Sequence, residues 1–140
     1  MKPLNGIKVI DLTHMLAGPY AGMVIADLGA EVVKIEPLVT GEMTRGLLKT
    51  DPNYSYKEFG AYFLTLNRNK KSVSLDLKSE IGLEIFYELV KSADVVLNNF
   101  SAGVVKKLKI DFETLNNINP KIITCSITGF GETGPHSSRP

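Results

Sequence analysis

The residue types suited to ligand binding concentrate in three loops, the first of which reads H-M-L-A-G-P at residues 14–19. His14 has an imidazole that can act as a base or donate a hydrogen bond. Gly18 would let the backbone approach a ligand closely, and a helix starting here would offer free N–H groups to an anion. Glycine followed by proline is also typical of a tight turn. A ligand-binding loop and a structural turn therefore both stay open.

The second loop carries a basic cluster, N-R-N-K-K at residues 67–71, directly before a predicted strand. Arg68, Lys70 and Lys71 are suited to holding phosphate groups through charge-assisted hydrogen bonds. Clustered charge is equally typical of a solvated loop. The cluster therefore indicates either a phosphate clamp or a solvated loop.

The third loop begins with Asn98, Asn99 and Phe100, which follow one predicted strand and precede a helix. An aromatic ring beside amide groups can recognise a purine base, because the ring stacks and the amides form hydrogen bonds. An asparagine turn beside a core phenylalanine explains the same three residues. The two interpretations are equally consistent with the residues alone.

Several standard motifs for catalysis and nucleotide binding are missing. The first turn lacks G-x-G-x-x-G, and the sequence contains neither G-x-x-x-x-G-K-[ST] nor a G-x-S-x-G elbow. The two histidines, His14 and His136, and the single Cys125 do not recur at zinc-ligand spacing, so we expect no metal site. We expect His136 to be solvated.

Composition excludes other classes of function. The 140 residues carry 16 Lys and Arg against 15 Asp and Glu, which makes nucleic acid an unsupported main partner. The N-terminus lacks a signal-peptide pattern, and no apolar stretch is long enough for a membrane span. We therefore expect a cytoplasmic protein without a membrane partner. Cys125 lies in an apolar run and is predicted to be a buried strand residue.

Alternating strands and helices must position the three loops. The predicted strands are residues 6–13, 31–36, 72–77, 94–97 and 122–127, and the predicted helices are residues 20–28, 79–92, 104–108 and 112–118. In the helix over 79–92, the buried face is predicted to contain Ile81, Ile85, Leu89 and Val90. Residues 37–60 are predicted to form a long loop, which we call the excursion. Loops of this length within a domain are often functional.

This alternation predicts an α/β domain with a Rossmann-like, open and mainly parallel sheet flanked by helices. Ligands bind such sheets where strands end and loops begin. The loops after Leu12, Leu97 and Ile127 are therefore expected to matter most. These are also the places where Gly, Asn, His and Thr concentrate.

Five sequence blocks, taken together, closely resemble the class III CoA-transferase family of the CaiB/BaiF type, which has racemases as relatives. The blocks are G-I-K-V-I-D-L-T with A-G-P, A-D-L-G-A-E-V-V-K-I-E-P, L-N-R-N-K-K-S-V-S-L-D-L-K, A-D-V-V-L-N-N-F, and N-P-K-I-I-T-C-S-I-T-G-F-G-E-T-G-P. The resemblance runs over essentially the whole chain but covers only the leading part of the family's longer polypeptide.

The resemblance implies a Rossmann-like large domain that binds CoA, in a homodimer of two interlocked chains. CoA or acyl-CoA would be a substrate, with no covalently bound cofactor. In the transferases of this family, an Asp carboxylate attacks the acyl-CoA thioester, and mixed-anhydride and aspartyl-CoA thioester intermediates follow.

Carried over position by position, the resemblance implies a set of CoA-binding residues. These are Met15, Leu16 and Ala17 near the thiol end of CoA, Leu75 and Lys78 at a strand edge, Asn99 and Phe100 as the N-F pair, and Lys107 where the family often has Arg. The chain departs from the family pattern at Asn98, which replaces an acid, at Ala102, which replaces Pro, and at Pro37, which replaces a CoA-contacting Arg.

The resemblance also implies an incomplete enzyme. Residues 1–140 correspond to the N-terminal part of the large domain, without the small domain and the C-terminal segment. The segment G-F-G-E-T-G-P at residues 129–135 lies close to the end of the sequence. The family's catalytic Asp is expected beyond Pro140, so we expect no catalytic residue here and no activity from this chain alone. The alternatives are a CoA-binding module, on its own or paired with a separately encoded C-terminal part, a racemase-type relative, and the remnant of a broken gene.

Overall fold

The computed structural model describes residues 2–139 as a five-stranded sheet with helices on both faces and a small separate hairpin. The strands are β1 (Lys8–Asp11), β2 (Glu31–Glu36), β3 (Ser55–Tyr56), β4 (Phe59–Gly60), β5 (Lys70–Ser74), β6 (Val95–Asn98) and β7 (Ile123–Ser126). The helices are α1 (Ala17–Asp27), α2 (Ala61–Leu66), α3 (Glu80–Lys91), α4 (Val104–Lys107) and α5 (Phe112–Ile118), with a 3₁₀ turn at Met43–Arg45.

The sheet has the order β5-β2-β1-β6-β7, and all its neighbouring strands run parallel. The chain builds outward from β1 through β2 to β5, then crosses to the other side of β1 and continues through β6 to β7. Strand order therefore reverses between β1 and β6, where the loops leaving the two strands separate and can form a binding crevice. The predicted α/β fold with an open, mainly parallel sheet is confirmed.

Apolar side chains cover both faces of the sheet. On one face, Ile10 and Val96 pack against the α3 side chains Phe86 and Val90 and against Leu115 of α5. The second, smaller core lies under α1. Its buried residues are Val9, Ala26, Ala30, Val32 and Leu97. Successive strand residues point to opposite faces, so the apolar runs of β1 and β6 supply both cores.

Helix α1 begins three residues earlier than the sequence pattern indicates. Gly18 and Pro19 lie in its first turn, where proline costs no hydrogen bond because those N–H groups have no helical partner. Gly18 does make a close approach, but to Thr13: a Cβ atom at Gly18 would stand 2.3 Å from Thr13 Cβ. The glycine thus lets the helix start directly against the end of β1.

The predicted buried face of α3 is wrong for two residues. Ile81 and Ile85 are 71% and 44% exposed. Gly82, Phe86 and Val90 form the buried stripe instead. Their spacing of four residues also follows the helical period, and the large Phe86 ring fills the space above the sheet.

Cys125 is exposed, so its predicted burial is wrong. Among the described residues, β7 pairs on one side only, with β6, and is an edge strand of the sheet. Ile123, on the same side of the strand as Cys125, is 60% exposed. The apolar composition of the strand did not reveal that this part of the sheet carries no cover within residues 2–139.

The excursion over residues 37–60 is ordered rather than featureless. It contains the 3₁₀ turn at Met43–Arg45 and the β3–β4 hairpin, and it leads directly into α2, which the sequence pattern did not predict. In the part of the chain that the structure describes, no helix has the length and apolar character needed to cross a membrane.

Candidate functional site

The loops after β1 and β6 meet through one side chain, Asn99. Its Oδ1 accepts the backbone N–H of His14 at 2.8 Å, and its Nδ2 donates to the His14 carbonyl oxygen at 2.8 Å. Asn98 likewise bonds within the protein, donating to Ser126 Oγ at 3.0 Å and accepting the Phe100 N–H at 3.3 Å. Asn98 therefore forms a local turn, whereas Asn99 joins the two loops, and both amides hold the crevice together.

A cavity of about 380 Å³, here named the first cavity, opens at the carboxyl ends of β1, β2 and β5. Its apolar wall comprises Leu12, Ile35, Pro37, Leu38, Leu75, Leu77, Phe100 and Leu108. Its polar lining comprises His14, Glu36, Asp76 and Lys78. A mostly apolar wall with a few convergent polar groups is the usual character of a small-molecule site.

A second cavity, of about 470 Å³, lies between the loops that follow β6 and β7. Asn99 and Phe100 line it, together with residues of the G-F-G-E-T-G segment. Its charged lining is mixed: Lys106, Asp111, Glu113, Glu132 and Arg139. Phe100 contributes to both cavities, so the loop after β6 forms the partition between them.

The structure brings only part of the predicted CoA-binding set together. Leu75, Lys78 and Phe100 line the first cavity, and Asn99 lies behind its wall at the junction of the loops. Met15, Leu16, Ala17 and Lys107 are exposed and line neither cavity, and the neighbouring Lys106 faces the second.

His14 is the polar group that links the first cavity to the β1–β6 crevice. Its ring packs against Phe100 with the centroids 5.7 Å apart. Its Nδ1 is buried and has no hydrogen-bond partner within residues 2–139. Burial, followed by the nearby Lys34 ammonium, lowers the pKa of His14 below its ordinary value of 6.5. The imidazole is therefore neutral at pH 7 and can donate through one nitrogen and accept through the other.

Three buried charges lie behind this loop. Asp11 Oδ2 is 2.8 Å from Lys70 Nζ and 3.8 Å from Lys34 Nζ. Lys70 also donates to the Pro19 carbonyl oxygen at 2.8 Å and to Asn67 Oδ1 at 2.9 Å, so all three of its N–H groups are used. Burial lowers the pKa of Lys70, and Asp11 opposes that shift. The cluster ties β1, β2, β5 and α1 together through directional contacts.

A second group of charges, centred on the buried Glu36, joins β2 to the excursion. Arg45 donates to both carboxylate oxygens of Glu36, at 2.6 and 2.7 Å, and Ser72 Oγ donates to the same carboxylate at 2.5 Å. Burial raises the pKa of Glu36, but these bonds and the Glu42 backbone N–H outweigh it and lower the pKa to about 2. Glu36 is therefore an ionised structural carboxylate at the cavity edge.

The basic cluster of residues 67–71 bonds within the protein. Arg68 pairs with Asp27 at 2.5 Å, Lys71 pairs with Glu31 at 2.7 Å, and Lys70 is buried against Asp11. No cation of this cluster lines either cavity. These contacts hold the loop in place, with Arg68 and Lys71 at the surface and Lys70 buried, and they do not fit a phosphate clamp.

Sequence reasoning missed the buried charges Lys34, Glu36 and Glu42. The available signal was E-V-V-K-I-E, in which Lys34 and Glu36 interrupt the apolar run of a parallel strand buried on both faces. A charge in such a strand requires a buried partner. No group of three or more metal-ligating side chains clusters within residues 2–139.

Comparison with known proteins gives concordant results. The sequence profile described as CoA-transferase family III matches residues 4–140. Mouse succinyl-CoA:glutarate CoA-transferase is 44% identical over 139 residues, which cover 99% of this chain and 31% of that enzyme. Formyl-CoA:oxalate CoA-transferase of Afipia carboxidovorans is 42% identical over 130 residues, covering 93% of this chain and 30% of that enzyme.

A solved structure agrees with the sequence comparisons. The crystal structure of a CAIB/BAIF family protein from Brucella suis superimposes with a TM-score of 0.89 at 43% identity, covering 99% of this chain and 36% of that protein. The chain thus spans about a third of the length of the curated relatives and the solved structure that it matches.

Proposed function

Because the chain belongs to CoA-transferase family III, we propose that it forms the CoA-binding part of an enzyme that moves CoA between carboxylic acids. The observation that carries this proposal is the first cavity, which lies where Rossmann-like sheets bind ligands. Leu75, Lys78 and Phe100, assigned to CoA from the family resemblance, line it together. Lys78 offers a positive charge to an anionic ligand, and Phe100 offers a flat apolar surface.

The proposed transfer uses a carboxylate nucleophile, and the carboxylates of the first cavity are engaged in the fold. Glu36 is held by Arg45, and Asp76 Oδ1 accepts the Lys78 backbone N–H at 2.9 Å. We propose that an Asp elsewhere in a longer protein attacks the thioester and forms the aspartyl-linked intermediates. The residues of this chain would bind and orient CoA without forming a bond to it.

The names of the relatives support a substrate class. Succinyl-CoA:glutarate and formyl-CoA:oxalate enzymes each pair a CoA ester with a dicarboxylate. We propose a small dicarboxylate as the acceptor and an acyl-CoA as the donor, with no covalently bound cofactor. The acceptor must approach the thioester end of CoA, and this chain would chiefly determine how CoA is held.

The proposed whole enzyme is a homodimer. Support comes from large apolar side chains that the fold leaves in solvent, among them Phe112, Ile123 and Phe130. Ile123 belongs to the edge strand β7, where further chain or a second subunit would cover it.

Calorimetric titration of CoA into the purified chain tests the binding proposal. We expect Phe100→Ala and Lys78→Met each to weaken CoA binding. For Phe100→Ala, which removes a well-packed ring, the dissociation constant should rise about tenfold. Lys91→Met is the matched control, because Lys91 is an exposed lysine that pairs with Glu88 and lines neither cavity. Absence of binding by the unmodified chain, or equal affinity in Lys78→Met, Phe100→Ala and the control, would refute the CoA site.

A turnover assay tests the second half of the proposal. The chain is incubated with succinyl-CoA and glutarate, or with formyl-CoA and oxalate, and the product thioesters are separated by chromatography. We expect CoA binding without transfer, because the cavity carboxylates are already engaged. Steady formation of a new thioester would show that the nucleophile is present in this chain.

A further inference from the structure

Three consecutive residues after β1 are each held by a side chain from a different part of the fold. Lys34 of β2 donates to the Thr13 carbonyl oxygen at 2.7 Å. Asn99 bonds both backbone groups of His14. The Met15 N–H donates to Glu42 Oε1 at 2.8 Å. The path of this loop is therefore imposed from outside, through side chains that are largely buried.

Met15 requires such support because its backbone is left-handed, with φ at 68°. Side chains with a Cβ atom rarely adopt that conformation, since the Cβ atom crowds the backbone. The hydrogen bond to Glu42 opposes relaxation of this residue toward the ordinary region. The neighbouring His14 ring, which lines the first cavity, keeps its place through the same backbone.

Glu42 is itself held rigidly. It is fully buried, and its Oε2 accepts the Thr44 N–H at 3.0 Å and the Thr44 hydroxyl. Its own N–H donates to Glu36 Oε2 at 2.8 Å. Glu42 therefore joins the Met15 loop to the Glu36 carboxylate.

Further contacts extend this chain of bonds to α2. Arg45, which clamps Glu36, lies over the Phe63 ring of α2 with its guanidinium carbon 3.8 Å from the centroid. Gly41 makes the packing possible, because it has φ at 65° and a Cβ atom there would stand 2.6 Å from Arg45 Cδ. The excursion over residues 37–60 thus connects α2 to the loop after β1.

We infer that Glu42 is a positioning residue, which holds the Met15 backbone and thereby sets the His14 ring in the wall of the first cavity. The excursion therefore has a structural role, because it places the buried Glu42 carboxylate against the backbone of the loop after β1. The identity of the bound molecule as CoA rests on the proposed function, whereas the positioning role rests on the contacts alone.

Amide hydrogen exchange of the Glu42→Gln variant, measured by NMR, tests the inference. Gln keeps the shape of Glu but has one acceptor oxygen, so it cannot accept both the Met15 and the Thr44 N–H groups. We expect exchange at Met15 or Thr44 to accelerate about tenfold, as for the loss of one hydrogen bond, while the core amide of Phe86 stays within about twofold. Glu88→Gln, an exposed neutralisation, is the control and should change neither site.

A uniform acceleration at all amides would mean that Glu42 acts on global stability alone. No acceleration at Met15 or Thr44 would mean that Glu42 does not hold the Met15 backbone. Either result overturns the inference. If Glu42→Gln does not fold, Glu42→Asp keeps both oxygens but shortens the reach by one methylene, about 1.5 Å. It should show the same local loss at Met15, and a Met15 amide as protected as in the unmodified chain would overturn the inference.

The CoA titration separates this inference from the proposed function. If the unmodified chain binds CoA, Glu42→Gln should weaken binding about fivefold or more, and Glu88→Gln should leave it unchanged. Unchanged CoA affinity in Glu42→Gln would contradict a positioning role at this cavity. If the unmodified chain binds no CoA, the proposed function fails, and the exchange pattern still decides whether Glu42 positions the loop.

Discussion

Two buried regions of the molecule are stabilised in opposite ways. Under α3 and α5, the buried residues are apolar, with Phe86, Val90 and Leu115 fully excluded from solvent. The second region, which we name the ionic region, lies near the carboxyl ends of β1 and β2 and reaches Lys70 at the start of β5. It comprises Asp11, Lys34, Glu36, Glu42 and Lys70, which are buried and charged.

The contrast shows two different tasks: the apolar region stabilises the fold, and the ionic region holds a loop in place. Apolar contacts are non-directional, and cores of this kind tolerate exchanges of similar volume. Buried ion pairs add little net stability, because desolvation offsets their attraction, but their hydrogen bonds specify direction and distance. The ionic region adjoins the first cavity, and its directional bonds end on the loop after β1. The directional hydrogen bonds are therefore concentrated where the proposed ligand binds.

The largest effect is expected from Asp11→Asn. The change removes the negative charge between Lys34 and Lys70 while keeping the shape of the side chain, so two buried ammonium groups lose their counter-charge. Breaking a buried pair in this way costs about 3–5 kcal/mol of unfolding free energy. Urea denaturation measures the loss.

Asp27→Asn supplies the matched control for that experiment. Asp27 pairs with Arg68 at the surface, and exposed pairs contribute about 0–1 kcal/mol. If the two variants lost the same unfolding free energy, the distinction between the ionic region and ordinary surface charge would fail.

The next largest effect is the loss of stability at low pH when Glu36 becomes protonated. The pKa of Glu36 is lowered from its ordinary 4.5 to about 2, so the folded protein binds this proton less readily than the unfolded chain does. Its contribution, about 3 kcal/mol, is fully present above pH 4.5 and is lost as pH falls from about 4.5 to about 2. Urea unfolding at a series of pH values should show this decline. Glu36→Gln should have a lower unfolding free energy at neutral pH, and that free energy should change less between pH 4.5 and pH 2. If the unfolding free energy of Glu36→Gln fell as steeply with pH as that of the unmodified chain, other carboxylates would cause the decline.

The smallest effect is expected in the apolar region. Phe86→Leu keeps the position apolar and removes part of the ring, so the neighbouring Val90 and Leu115 can repack in part. We expect a loss of about 1–1.5 kcal/mol in urea denaturation, with no change in CoA affinity. A loss greater than that of Asp11→Asn would reverse the proposed ranking of the two regions.

Much of the fold could be predicted because apolar periodicity and turn residues are local signals. The bounds of β2 and α5 agree with the sequence prediction, since both segments end at clear polar or proline boundaries. The exposed face of α3 and the exposure of Cys125 could not be predicted in the same way. Both depend on which neighbouring element covers a surface, and a local pattern does not contain that information.

The candidate site was predictable in part for the same reason. Leu75, Lys78 and Phe100 follow strand ends, and parallel strands bring their carboxyl ends to one edge of a sheet. Lys107 was assigned from family position, but α4 leaves it exposed and turns Lys106 toward the second cavity. One step along a helix rotates a side chain by about 100°, so proximity in sequence did not determine which lysine faces the cavity.

By itself, the sequence determined the α/β class and the family, because these depend on patterns carried by contiguous residues. Only the tertiary structure decided which charges are buried and what they hold. Asp11 and Lys70 are separated by 59 positions and Met15 and Glu42 by 27, and their contacts arise only when parallel strands and the excursion are brought together. Burial turns these charges into directional contacts, because a carboxylate or ammonium removed from water must find partners within the protein.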